Sequence, residues 1–202
     1  YSVIGNHDQD YTLRLPTLGP TRAVVSIESW MDALEDIGVT LLYNRHHELV
    51  INETTVVIVG LGDPSCGLDD LETALEDVPE ADLRLLVAHS PDIFDHPGAQ
   101  WADLIICGHT HGGQIQIPGI GSPWAPVWRD RRRASGLMQV GDDGTLAYVS
   151  RGVGSGTRAR FNCPPEVAIL NLAKGRHEDV RHIEPLEKYA PQQQFRAERI
   201  DA

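Results

Sequence analysis

Apolar residues recur along the chain at spacings that distinguish helices from strands. Ile27, Trp30 and Leu34 are three or four positions apart, which predicts an amphipathic helix over residues 26–37. A second helix is predicted over residues 68–78, where the apolar side chains also share one face. Both segments are long enough to cover part of a sheet.

Unbroken apolar runs predict a different kind of element. Runs of this length bounded by polar or glycine residues are typical of strands covered on both faces, and they occupy residues 55–61, 83–88 and 104–107. Shorter patterns predict strands at 39–43, 48–52 and 166–172, a short helix at 91–96, and a hairpin of residues 136–140 and 146–150.

The alternation of strands and helices indicates an α/β fold. A chain of 202 residues is long enough for one domain with a substantial core, to which we assign residues 1–173. Residues 174–202 are polar with little periodicity, so we expect a largely irregular tail. No apolar run approaches the ~18 residues of a membrane-spanning helix, and none is predicted within this sequence.

Charge and cysteine content exclude some functional classes. The net charge of −12 argues against a general nucleic-acid binder, which would carry a basic surface. The three cysteines are odd in number and widely spaced, so neither a disulfide framework nor a zinc knuckle follows from them.

Residues 114–133 form a loop rich in proline and glycine that places tryptophans beside a basic cluster. Tryptophan and arginine suit the headgroup zone of a membrane, so one interpretation is a lip that contacts a membrane surface or a lipid-linked substrate. The residues in question are Trp124, Trp128, Arg131, Arg132 and Arg133. The other interpretation is a long ordered loop that packs on its own domain, and both stay open at this stage.

Residues of the kind that bind metals follow three predicted strands, at the point where each strand ends. They are Asn6, His7, Asp8, His89, His109 and His111. Binding groups in open α/β sheets collect at the ends of strands, so these distant segments are expected to assemble one site. Neutral imidazole is the commonest metal-binding side chain, and the glycines around the His-Thr-His segment let two rings approach an ion.

Each segment alone also has a simpler interpretation. A histidine near a strand end is often a partly buried, hydrogen-bonded residue, and Asn6 with His7 could form an Asx-type turn. It is the combination that favours a metal site.

Taken in chain order, these segments resemble the second half of the signature of calcineurin-like metallophosphoesterases. Residues 5–8 (Gly-Asn-His-Asp), His89, and residues 108–111 (Gly-His-Thr-His) carry this resemblance. The extension Gly-Gly-Gln at 112–114, with the segment from Arg151 to Glu166, is similar to the YkuE-type branch of bacteria and archaea. The similarity runs from about residue 3 to about residue 173.

The resemblance implies an α/β fold in which a β-sandwich is flanked by helices in four layers. It implies a metal-dependent phosphoester hydrolase with two divalent ions (Mn, Fe, Zn or Co) and a bridging hydroxide. Asn6, His89 and His109 match ligands of one ion, and His111 matches a ligand of the other. His7 matches the residue that contacts phosphate, with Asp8 orienting its ring, and Arg151 is a candidate for holding an anionic oxygen.

The family begins with an Asp-X-His motif and a Gly-Asp motif ahead of Gly-Asn-His-Asp, and this chain has neither in that position. Gly62-Asp63 and Gly141-Asp142 both follow Asn6. We therefore expect that the first strands of the fold are missing, that sheet edges are exposed, and that this chain retains at most one weakened metal position and little turnover.

Several alternatives stay open from the sequence. A non-catalytic phosphoesterase-fold module that binds proteins, and a single-metal zinc binder that uses His109 and His111, are the rival classes. Within hydrolases, the substrate class extends from phosphodiesters and phosphomonoesters to lipid-linked pyrophosphates, with the tryptophan and arginine loop slightly favouring a lipid-linked one. We expect a cytoplasmic location or a peripheral one at the membrane, and an anchor or export signal could lie ahead of Tyr1.

Overall fold

The computed structural model describes residues 1–8, 26–127, 130–141, 144–154 and 159–172. Within these ranges there are two α-helices, α1 (Ile27–Glu35) and α2 (Leu71–Leu75). The same ranges contain short 3-10 helices at Pro64–Cys66, Pro91–Asp95, Pro97–Trp101, His111–Gly113 and Arg131–Ala134. None of these helices is long and apolar enough to span a bilayer.

Six strands form one mixed sheet in the described part of the chain. They are β1 (Arg45–Ile51), β2 (Thr54–Gly60), β3 (Leu83–Val87), β4 (Leu104–Cys107), β5 (Gly136–Val140) and β6 (Thr145–Val149). The order is β1-β2-β3-β4-β6-β5, with β2, β3, β4 and β6 parallel and the two edge strands antiparallel. The predicted α/β class is confirmed, as are the three buried strands and the hairpin.

The core lies mainly on one face of the sheet. Val57 and Val59 of β2, Leu86 of β3 and Ile105 of β4 point to this face and are almost inaccessible to solvent. The α2 helix and the 3-10 helices after β3 cover them, because these elements supply the matching apolar side chains Leu71, Ala74, Ile93, Phe94 and Ala99. The opposite face carries a smaller cluster around Leu42, Val56 and Ile58.

Two predicted strands are wrong. In residues 39–43 only Leu41 makes a bridge, to Ser2, because in the described chain this segment meets only the short stretch at the amino terminus. Residues 166–172 form no named strand. There the polar Glu166 is buried while Val167 and Ile169 are 70% and 58% exposed, which is the reverse of the alternation that favoured a strand.

The second helix is shorter than the prediction of residues 68–78. Asn44 accepts a hydrogen bond from the Asp70 amide through Oδ1 and donates to the Leu68 carbonyl through Nδ2, which holds this stretch outside the helix. The Asp70 carboxylate then accepts from the Thr73 amide, so the helix begins at Leu71. Residues 174–202, predicted as a largely irregular tail, lie outside the described residues.

Helix α1 confirms the prediction of an amphipathic segment, although none of its residues is fully buried. Ser26 caps its first turn by accepting a hydrogen bond from the Ser29 amide. The indole Nε1 of Trp30 donates to the Asp8 carbonyl at 3.0 Å. This bond ties α1 to the segment that carries Asn6 and His7.

Candidate metal centre

The parallel strands deliver polar residues to one edge of the sheet. Asp63 follows β2, His89 follows β3, His109 follows β4, and Arg151 follows β6. Because parallel strands share the edge at which they end, these four residues are neighbours in space despite their separation in sequence. The backbone joins two of these turns, since the Gly108 amide donates to the His89 carbonyl at 3.0 Å.

Asn6, His89 and His109 lie in direct contact at this edge. The Nε2 atom of His89 is 3.0 Å from Oδ1 of Asn6 and 3.0 Å from Nδ1 of His109. The two imidazole rings meet edge to face, with centroids 4.8 Å apart. The three residues that the sequence assigned to one metal ion are therefore brought together, and their role as ligands stays a prediction.

The facing atoms of this cluster are compatible with a shared cation. Nδ1 of His109 faces Nε2 of His89 at 3.0 Å, and Oδ1 of Asn6 faces the same atom at 3.0 Å. If the proton of His109 is on its Nε2, then Nδ1 of His109 and Oδ1 of Asn6 both direct lone pairs toward Nε2 of His89. At most one proton then lies between these three atoms, so at least one pair of lone pairs is left facing each other. A divalent ion would accept a lone pair from each of the three atoms.

The distances fit an ion as well. Two ligands at right angles, each about 2.1 Å from a metal ion, are about 3.0 Å apart. The described residues include no group of three or more His, Cys, Asp or Glu side chains that could hold a metal ion. The amide oxygen of Asn6 stands beside two histidines, and its predicted role as a third metal ligand stays a prediction.

The absence of a side chain at Gly5 leaves room for the His89 ring beside Asn6. A Cβ atom at position 5 would lie 2.6 Å from Cε1 and Nδ1 of His89, closer than side-chain atoms ever approach. Gly5 also closes a turn, since its amide donates to the Asp8 carboxylate at 3.0 Å and its carbonyl accepts from the Asp8 amide at 3.1 Å. The orientation of His7 by Asp8, implied by the resemblance, stays a prediction.

The His109 loop has an unusual backbone. His109, His111 and Gln114 have φ values of 66°, 50° and 60°, a left-handed conformation that costs non-glycine residues energy and is enriched at functional sites. Thr110 holds the loop in place, because its buried hydroxyl donates to the Ala134 carbonyl at 2.5 Å and accepts from the Gly112 amide at 3.2 Å. The two rings of the His-Thr-His segment therefore leave the backbone in different directions.

His111 lies to one side of the cluster with its ring near Gly154, since a Cβ added at Gly154 would lie 3.9 Å from Cε1 of His111. Its own carbonyl is 3.5 Å from Nη1 of Arg160 and 3.4 Å from Sγ of Cys163. His7 is exposed in the turn after Gly5 and lies within electrostatic reach of both His109 and His111. His7 is therefore accessible to solvent near both histidines.

Burial lowers the pKa of His89, His109 and His111 below the usual imidazole value. For His89 and His109 the fully buried carboxylate of Asp63 opposes this shift, whereas for His111 the cation of Arg160 adds to it. The three rings are therefore neutral at neutral pH, which is the form that binds metal ions.

Arg151 is engaged by a buried carboxylate. Its Nε and Nη2 lie 2.6 Å and 2.5 Å from Oε2 of Glu166, and its amide donates to Oε1 at 3.0 Å. Tyr148 donates to the same Oε1 at 2.6 Å. The predicted contact between Arg151 and an anionic oxygen stays a prediction, and the structure adds that its charge is already balanced by Glu166.

Two residues near the site were not predicted as site residues from the sequence. Asp63 is fully buried and accepts hydrogen bonds from the Ser65 amide and hydroxyl at 2.8 Å and 2.9 Å. Its position after an apolar strand is the same signal that identified His89 and His109. Arg160, half-buried beside His111, belongs to the segment that carries the resemblance to the YkuE-type branch, but no role was assigned to it.

Comparison with known proteins identifies relatives. The chain is 35% identical over 174 residues to Phosphodiesterase YaeI of Escherichia coli, across 85% of this chain and 57% of that protein. It is 32% identical to the metallophosphoesterase YkuE of Bacillus subtilis across 67% of this chain and 47% of YkuE. It is 29% identical to the UDP-2,3-diacylglucosamine pyrophosphatase LpxG of Chlamydia trachomatis across 65% of this chain and 43% of LpxG.

The chain spans about half the length of these curated relatives. No profile of a known protein family matches it, and no solved structure matches it. These relatives are named as a phosphodiesterase and as metallophosphoesterases, and the mixed six-stranded sheet is consistent with an α/β calcineurin-like phosphoesterase fold. The chain belongs to the calcineurin-like metallophosphoesterase family.

Proposed function

We propose that the protein is a metal-dependent phosphoester hydrolase. The observation that carries this proposal is the convergence of Asn6 Oδ1, His89 Nε2 and His109 Nδ1 at separations of 3.0 Å. A protein-binding module has no physical need for neutral, partly buried donors with facing lone pairs. The names of the relatives, which include a phosphodiesterase and metallophosphoesterases, support the same class of reaction.

In this proposal Asn6, His89 and His109 hold one divalent ion and His111 is a ligand of a second. Bound divalent ions supply Lewis acidity and neutralise charge on the phosphoryl oxygens. The side chains fix where the phosphoryl group lies, because their positions are set by the strand ends and by the close approach at Gly5. His7, exposed to solvent near His109 and His111, donates a proton to the leaving oxygen.

The test is hydrolysis of bis-p-nitrophenyl phosphate by the protein expressed from its complete gene, with and without Mn²⁺. We expect turnover that requires the metal and that falls by at least about a hundredfold in His89→Ala. A matched control is His47→Ala, since His47 is an exposed histidine on β1. Metal-independent turnover, or equal turnover in both variants, would contradict the proposal.

The rival zinc-binding class makes a different prediction for the same protein. A single zinc held by His109 and His111 would not require His89, so His89→Ala would retain its zinc. In the proposed centre, His89 lies between the other two donors, and its loss removes the metal. Metal analysis of His89→Ala therefore separates the two.

We further propose a lipid-linked or membrane-proximal substrate. The loop at residues 115–124 leaves Ile120 and Trp124 74% and 62% exposed. This loop packs back on the site, because a Cβ at Gly113 would lie 2.4 Å from the Trp124 carbonyl. Large exposed apolar side chains beside a phosphoester site suit a substrate with acyl chains. The name of LpxG, a pyrophosphatase for a diacylated sugar nucleotide, supports the same substrate class.

The basic cluster contributes less to this surface than the sequence indicated. Arg132 pairs with Asp130 at 2.7 Å and Arg133 pairs with Asp95 at 3.0 Å, so both charges are partly balanced. Arg131 is exposed and donates to the Pro123 carbonyl at 2.5 Å. Trp128 lies outside the described residues. The apolar side chains therefore carry most of the proposed membrane contact, which remains a peripheral one.

A further inference from the structure

Arg160 is held beside the candidate site by backbone carbonyls. Its Nη2 donates to the Arg151 carbonyl at 2.7 Å, to the Gly152 carbonyl at 3.2 Å and to the Gly154 carbonyl. Its Nη1 lies 3.4 Å from the Cys163 carbonyl and 3.5 Å from the His111 carbonyl. The guanidinium thus joins the loop after β6 to the loop that carries His111.

Carbonyl oxygens fix the position of a cation without cancelling its charge. Among the residues that the structure describes, no carboxylate forms an ion pair with Arg160, and its Nε is buried with no hydrogen-bond partner. Arg151 offers the contrast, because its guanidinium is paired with Glu166 at 2.5 Å. A partly buried cation without a counterion is costly in a folded protein, and a bound anion would offset that cost.

The charge of Arg160 lies next to the loop that carries His111. Nη1 of Arg160 is 3.5 Å from the carbonyl of His111, the residue proposed as a ligand of the second ion. A phosphoryl group that sits on the His7 and His111 side of the centre would lie in the field of this charge. The attraction would be stronger for an anion with two charges than for an anion with one, because the Coulomb energy is proportional to the charge.

We propose that Arg160 is a specificity-determining residue whose fixed positive charge favours doubly charged phosphoryl groups at this site. The inference rests on the proposed phosphoester hydrolase function. Arg160 acts across space and through the loops it joins, and no direct contact with the reacting atoms is required of it.

The experiment measures binding of inorganic phosphate and of dimethyl phosphate to the Mn²⁺-loaded protein, expressed from its complete gene, by calorimetry at about pH 8.5. At this pH inorganic phosphate is mostly doubly charged. We expect Arg160→Gln to weaken phosphate about tenfold and dimethyl phosphate about threefold, in proportion to charge. Arg160→Lys, which keeps the charge, is expected to retain the preference for phosphate.

Arg84→Gln is the matched control, because Arg84 is a partly exposed arginine paired with Asp103 near the start of β3, at the opposite end of that strand from His89. It should leave both affinities unchanged. Equal weakening of both anions by Arg160→Gln, or none, would overturn the inference and leave Arg160 as a support for the loops. If Arg160→Gln does not fold, Arg160→Lys decides the question, since loss of its preference for phosphate would overturn the inference.

Failure of the inference is distinguishable from failure of the proposed function. A wild-type protein that binds neither Mn²⁺ nor phosphate would refute the function itself. If the wild type binds Mn²⁺ and phosphate, and Arg160→Gln weakens neither anion or weakens both by the same factor, only the role of Arg160 is refuted.

Discussion

At position 5, adding a methyl group is expected to disrupt the contact of the His89 ring with Asn6 and His109. Gly5→Ala would place its Cβ 2.6 Å from the His89 ring, and the ring would have to move away from Asn6 and His109. We expect Mn²⁺ affinity to fall by about 10- to 100-fold, the range typical when a group that orients a ligand is lost. Calorimetric titration with Mn²⁺ measures this directly.

Gly108→Ala is the control for this prediction. Gly108 lies in the neighbouring turn, but a Cβ there would meet no atom within 4 Å, and its φ is not in the left-handed region. Its Mn²⁺ affinity should stay close to that of the wild type. Comparable losses in the two variants would mean that the His89 ring is not held by the approach of Gly5.

At the level of residues, the sequence predicted the donors but not the partners that hold them. Histidines and an asparagine after apolar runs are visible as a pattern, because strand ends are local features. The pairing of Arg151 with Glu166 and the carbonyl cage of Arg160 join segments whose spacing carries no periodicity. Such contacts depend on how loops fold over the sheet, which the pattern of apolar residues does not encode.

At the level of elements, a buried ion pair between Arg151 and Glu166 stabilises the loop after β6. The Glu166 side chain is 4% exposed and the Arg151 side chain 12% exposed. Glu166→Gln keeps the shape of the side chain and removes the carboxylate charge that pairs with the guanidinium. We expect a loss of about 3–5 kcal/mol in the free energy of unfolding at pH 7, measured by urea denaturation.

The same pair predicts a pH dependence. Burial acts to raise the pKa of Glu166, but hydrogen bonds from Tyr148 and Arg151 outweigh it, so the pKa is lowered in the folded protein. The stabilisation is therefore fully present above the unfolded value of about 4.3 and is lost as the pH falls through the lower folded pKa. The stability difference between wild type and Glu166→Gln should shrink over that interval.

Glu48→Gln is the matched control, because Glu48 is exposed on β1. It should change stability by less than about 0.5 kcal/mol at all pH values tested. A difference between wild type and Glu166→Gln that stays constant down to about pH 3 would mean that the pKa of Glu166 is the same in the folded and the unfolded protein, which contradicts the lowered pKa.

The errors in the predicted elements have a common cause. Residues 39–43 and 166–172 have apolar alternation but no neighbouring strand that extends along them in the described chain. Strand formation depends on a partner, whereas the helix over Ile27–Glu35 satisfies its own backbone and was correctly predicted. The central parallel strands were predicted well because both of their faces are apolar.

At the level of the whole molecule, the exposed apolar side chains of the loop at 115–124 test the proposed membrane contact. We expect Ile120→Ser with Trp124→Ser to reduce binding to vesicles that contain anionic lipid by about tenfold, because both side chains are largely exposed. Co-sedimentation measures the bound fraction. Val50→Ser, a change of similar exposure on β1, should leave binding unchanged. If wild type and the double variant bind vesicles equally, the loop is not a membrane contact.

The α/β class was the most predictable feature, since it follows from the alternation of strands and helices, and the convergence of ligand residues at one edge follows from the ends of parallel strands. The relation of the chain to the longer relatives was not visible in its periodicity. It emerged from the order of the motifs and from the share of each relative that the chain covers.

Anomalous diffraction from crystals grown with Mn²⁺ tests whether Asn6, His89 and His109 share one divalent ion. We expect a manganese peak about 2.2 Å from Asn6 Oδ1, His89 Nε2 and His109 Nδ1. A peak bound elsewhere, with these three side chains still in contact only with one another, would contradict it.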